Sequence, residues 1–216
     1  MRVVGSVLLV LAIALLAILP AAPVVRNPPG FLSPIMAFEL AGSPAEVHGI
    51  LGRPGDPGRP AAVRAMVRGN LIDFGFMLVY PLFYVAIAWL LAVRGLSGRA
   101  TVAAVMALAP VMALADAGEN MALLHLAVAH EPAAMTDALD RLRLFTSVKW
   151  IALFGASALL APGIWRTREW WRWAAPALAG GALLAAAAPL ARATVEYGAY
   201  LVMVGWTLSW VWALRR

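Results

Sequence analysis

TVAAVMALAPVMALADAGENMALLHLAV, residues 101–128, is long and apolar enough to cross a membrane, which takes about 20 residues. Yet it carries Asp116, Glu119 and Asn120 within five positions. Their i, i+3, i+4 spacing puts all three on one helical face, and Met112 continues that face one turn back. A lone charge in hydrocarbon costs several kcal/mol, so this face must turn toward other helices rather than acyl chains. That requirement decides the fold class: an all-α, polytopic transmembrane helical bundle.

The composition around this stretch agrees. The chain has 216 residues, 63% hydrophobic and 13% charged, with mean hydropathy +0.83. Soluble domains run nearer half apolar and a quarter charged. A net charge of +6 would suit nucleic acid, but the arginines flank apolar runs as topology signals do, and no nucleic-acid partner is expected. The absence of cysteine excludes disulfides, thiolate metal sites and c-type haem attachment.

Hydropathy predicts about six spans in a single domain, 1–216: 3–25, 71–93, 101–128, 144–161, 174–191 and 197–214. The first also resembles a signal peptide, since Met1-Arg2 precedes an apolar run. Its length, with Pro20 and Pro23 crowding the small-residue site, predicts an uncleaved anchor. Short loops carrying Arg94/Arg99 and Arg166/Arg168/Arg172 then predict both termini in the cytoplasm. The tryptophans of EWWRW (169–173) and SWVWALRR (209–216) form an interfacial belt beside them.

The segment 26–69 is the one substantial polar stretch, and on this topology it lies outside. SPAE (43–46) is a capping box with Pro44 at the first helical position, so a short helix starts there. Val47, Ile50 and Leu51 form its apolar side, and Gly49 and Gly52 end it. GRPGDPGRP (52–60) reads as turns, and Pro60 opens a helix running through Arg64 and Arg68 into the second span. The expectation is a small amphipathic cap on the outer surface.

Depth then gathers the charges. Asp73 lies in the first turn of a span entering from outside. Asp116 is roughly 24 Å along the outward-running third span, and Lys149, the only lysine, roughly 10 Å below the outer end of the fourth. Asp73, Asp116, Glu119, Asn120 and Lys149 therefore form the candidate ligand-binding or ion-pair cluster. Tyr80 and Tyr84 share the stripe of Asp73, and Thr146 sits one turn from Lys149, as secondary members. Three carboxylates face one lysine, which leaves two negative charges for protons, a cation or a basic ligand.

Other motifs carry less. GLSG (95–98) matches a serine motif of intramembrane proteases, but it falls in a loop, and no histidine in a later span supplies the base. No catalytic residue is assigned. His48, His125 and His130 all fall on the outer side, but His125 is about 180° around the helix from Asp116, and no helical ligand spacing occurs. No metal site and no cofactor are expected. The small residues of ALAGGALLAAAAPLA (177–191) let the fifth helix approach its neighbours closely, with Pro189 near its end.

FELAGSPAEVHGILG (38–52), NLIDFGFMLVYPLFY (70–84), ADAGENMALL (115–124) and VKW (148–150), in that order, resemble a family of bacterial multi-pass membrane proteins. The resemblance covers roughly residues 30 to 155 and implies a bacterial inner-membrane location. It supplies no substrate, cofactor or catalytic role.

Three functions are compatible with these residues. The first is binding or translocation of a small solute or cation at the carboxylate/lysine site. The second is a structural or accessory subunit, with a membrane-protein partner or a second copy of the chain, whose ion pair fixes helix packing. The third is a membrane enzyme acting on lipid or isoprenoid substrates. The lipid bilayer is the partner common to all.

Overall fold

The computed structural model describes residues 1–7, 9–10, 27–129 and 132–214, and no strand occurs among them. Most of the expected first span, 3–25, lies outside the described residues, as do Arg26, His130, Arg215 and Arg216. Residues 2–7 and 9–10 are helical. There follow α1 (Pro34–Glu39), α2 (Pro44–Leu51), α3 (Arg59–Val93), α4 (Arg99–Val128) and α5 (Pro132–Trp165). A 3₁₀ turn (Trp170–Trp173), α6 (Ala174–Ala186) and α7 (Thr194–Leu214) complete the chain.

Among the described residues four helices, α3, α4, α5 and α7, are long and apolar enough to cross a membrane. Their burial pattern is inside-out relative to a soluble protein. On α4 the polar Asp116, Glu119 and Asn120 are buried, while Leu114 and Met121 are 73% and 67% exposed. Exposed apolar rows with buried charges are stable where the surrounding medium is hydrocarbon. The protein is a membrane-embedded helical bundle.

The expected fifth span, 174–191, is helical only over Ala174–Ala186. Pro189 lacks an N–H and disfavours helical geometry at the residue before it, so the chain leaves the helix in turns. Thirteen residues rise roughly 20 Å, short of a hydrocarbon core of about 30 Å. The fourth expected span, 144–161, falls within a much longer helix. α5 begins at Pro132, and its first turns bury Met135, Ala138, Leu139 and Leu142 while exposing Asp137, Asp140, Arg141 and Arg143.

The polar segment is built from two short helices with the same opening. Ser33 Oγ accepts from Ile35 N and Ser43 Oγ from Glu46 N, and proline follows each serine. Glu46 reaches back to accept at 3.0 Å from Gly42 N, just before the capping serine. Gly49 lies inside α2 rather than ending it; Gly52, with φ 88°, is the terminating residue. The GRPGDPGRP stretch turns as expected, with Arg53 N donating to Asp56 Oδ2 at 2.7 Å.

The chain divides into two compact units, one of Met1–Leu9, Leu78–Ala113 and Lys149–Arg216, the other of Val10–Met77 and Leu114–Val148. In the second, Phe38 of α1 and Val47, Ile50 and Leu51 of α2 pack with Met66, Leu123, Leu126, Met135, Leu139 and Leu142. Each such side chain, withdrawn from water, contributes roughly 2 kcal/mol. In the first, α6 and α7 meet through glycines: a Cβ on Gly181 would lie 2.7 Å from Gly198 O. Trp206 of α7 stacks on Tyr80 at 5.9 Å and meets Tyr84 edge-on at 5.6 Å.

Candidate functional site

In the second unit, α4 presents Asp116 (2% exposed), Glu119 (0%) and Asn120 (1%) on a single buried face. The i, i+3, i+4 spacing has the structural consequence expected of it. Asn120 Nδ2 donates to Asp73 Oδ2 at 2.7 Å, which joins α4 to α3 and fixes one carboxylate of the cluster. Asp73 itself is half-buried. Gly118 faces α5, where a Cβ would lie 2.6 Å from the Phe145 ring, so the helices approach closely beside the acidic face.

Thr146 is buried on α5, and its Oγ1 donates to the carbonyl of Glu39 at 3.4 Å. This bond ties the last residue of α1 to the helix that carries Lys149. Glu39 is also buried, a further acidic group in this unit that the sequence reading did not single out. Its signal was available: Ser33-Pro34 opens α1 just as Ser43-Pro44 opens α2.

In the first unit, Lys149 is buried and engaged in carboxylate salt bridges, with its ammonium 4.8 Å from the Trp150 ring centre. The protein thus holds a membrane-buried ion pair. Tyr80 and Tyr84 are fully buried against Trp206, and their hydroxyls are used locally. Tyr80 donates to Met112 O at 3.4 Å, and Tyr84 shares a 2.5 Å hydrogen bond with Ser157 Oγ. Both phenols are therefore packing and hydrogen-bonding residues of their own unit.

Two further buried charges escaped the sequence reading. Arg59, within the stretch expected to form turns, is buried. Its guanidinium donates to Gly52 O at 2.7 Å, Ala129 O at 3.3 Å and Ala127 O at 3.5 Å. It thereby meets carbonyls at the ends of α2 and α4, where helix dipoles favour a cation. Glu196 is fully buried in the first turn of α7, and Tyr200 donates to it at 3.4 Å.

GLSG falls in the turn between α3 and α4, with Gly95 at φ 68°. His125 is exposed while Asp116 is buried, the opposite faces their spacing requires. Among the described residues no group of three or more His, Cys, Asp or Glu side chains is arranged to hold a metal ion. No protein-family model, curated protein or solved structure matches the chain.

Proposed function

We propose that the protein binds a small cation or basic solute at the carboxylate-rich face of α3 and α4 and carries it across a bacterial inner membrane. The observation that carries this reading is the near-complete burial of Asp116 and Glu119 on one face of a membrane helix, with Asp73 held nearby by Asn120. Charge counting supplies the rest. Asp73, Asp116 and Glu119 gather three acidic groups on two helices, and in a medium of low dielectric such a cluster favours a bound cation.

On this reading Asp116 and Glu119 are the acceptors, with Asp73 a third. The arginine asymmetry of the short loops supports a topology with both termini in the cytoplasm and the site toward the outer face. The segment 26–69 then covers the outer mouth. Its bond from Thr146 to the Glu39 carbonyl is the contact that opening would break.

The test is uptake of radiolabelled sodium, rubidium and methylammonium into proteoliposomes, with native mass spectrometry of the purified protein for a retained ion. Wild type accumulates at least one probe, and Asp116→Asn with Glu119→Gln abolishes uptake while the protein still folds. A wild type that neither retains nor transports any of them removes the proposal.

A second reading has its own support in the buried, salt-bridged Lys149. There the ion pair fixes helix register in an accessory subunit, and nothing passes. Lys149→Met would then lower stability, and neutralising the acids would leave cellular function intact.

A further inference from the structure

The connection from α5 to α6 concentrates cations and indoles. Arg166, Arg168 and Arg172 lie within seven positions, between Trp165 and Trp173. Arg166 and Arg168 are exposed and Arg172 is half-buried. The Arg172 guanidinium lies 5.4 Å from the Trp165 ring centre and 5.2 Å from that of Trp173, and the two indoles meet edge-on at 5.7 Å. Stacking of this kind fixes the plane of a guanidinium and leaves its N–H edges to donate.

The local acid is already committed. Glu169 accepts from Arg94 at 3.2 Å and from Trp212 Nε1 at 2.5 Å, while Arg94 also lies over the Trp212 ring at 4.5 Å. Among the described residues, Arg166, Arg168 and Arg172 make no ion pair. The C-terminus of α5 offers them only about half a negative charge. Arg168 is, among the described residues, the one non-glycine at positive φ, 55°, a conformation that persists where the surroundings impose it. Trp165, Trp170 and Trp173 are exposed, as indoles at the lipid headgroup level are.

We propose that this hairpin is a binding site for the phosphodiester of an anionic phospholipid, gripped by Arg172 on its indole platform with Arg166 and Arg168 beside it. The guanidinium fork matches two phosphate oxygens, and the indoles pack against the glycerol and upper acyl chain. Three cations without local compensation favour a lipid of net negative charge over a zwitterion, whose own ammonium they repel. This inference is independent of any solute carried elsewhere in the protein.

The experiment uses the full chain in neutral detergent, titrated with phosphatidylglycerol or with phosphatidylcholine of the same acyl chains. Native mass spectrometry reads the bound lipid. Phosphatidylglycerol binds about tenfold tighter or more, and 0.5 M salt weakens it through screening. Arg172→Gln removes most of that preference, Arg172→Lys keeps part of it, and Arg64→Gln, on an exposed position of α3, keeps all of it. Should Arg172→Gln fail to fold, the Arg166→Gln/Arg168→Gln pair is read instead, with the same loss expected. Equal binding of the two lipids, or an equal loss in Arg64→Gln, overturns the proposal. So does displacement of the lipid by millimolar inorganic phosphate.

Discussion

Asn120 holds Asp73 from the neighbouring helix by a single 2.7 Å hydrogen bond inside the membrane-embedded bundle. Replacing Asn120 by the similarly sized Leu leaves the carboxylate short of a donor. The expected loss is about 1.5–3 kcal/mol, the range for a hydrogen bond to a charged group. Asp73→Asn retains an acceptor for Asn120 and should lose less. Chemical unfolding in mixed micelles measures both, and an unchanged stability in Asn120→Leu contradicts the role assigned to the bond.

Arg59 meets carbonyls at the ends of two helices, so its loss strips charge-assisted partners from three oxygens at once. Arg59→Gln should destabilise the protein by about 2–4 kcal/mol, the scale of a broken buried charge interaction. Arg59→Lys should recover only part, because an ammonium cannot span the same fork. Limited proteolysis of the 52–60 turns should speed up in both variants.

The α6–α7 contact tests close packing. A Cβ at Gly181 would meet the Gly198 carbonyl at 2.7 Å, a backbone atom that cannot rotate away. At Gly180 it would meet only the end of Leu201, at 3.3 Å. Gly181→Ala should therefore cost about 1–3 kcal/mol, while Gly180→Ala is near neutral. Thermal unfolding of the two variants side by side decides the point, and equal behaviour would contradict the contact.

Lys149 is the chain's only lysine and lies buried in salt bridges. Lys149→Met leaves uncompensated carboxylate charge in the bundle and should destabilise it by about 3–5 kcal/mol. Lys149→Arg preserves the charge and should lose less. The measurement is the unfolding midpoint of the three proteins in the same detergent.

How legible these features were differs by residue, for physical reasons. The face of Asp116, Glu119 and Asn120 was readable because helical spacing and the cost of charge in lipid together leave one solution. The Ser43–Glu46 box announced α2 for a similar reason, since capping is local chemistry. Arg59 was not readable: its partners are carbonyls at 52, 127 and 129, and no side-chain pattern marks a backbone acceptor. The fifth span was overestimated because hydropathy counts Ala187–Ala191 as apolar while backbone geometry at Pro189 ends the helix. The burial of Glu196 depends on helix packing that sequence does not display.

The reach of Arg59 also has a temporal side. Its acceptor at Ala129 lies 70 positions later in the polypeptide. At translation rates of about 5–20 residues per second, that carbonyl emerges on the order of ten seconds after the arginine. During that interval the nascent guanidinium has no permanent berth, and the α1–α2 segment lacks the α4 and α5 side chains that bury it. The burial of this region therefore waits on the synthesis of α4 and α5, whose side chains complete its packing.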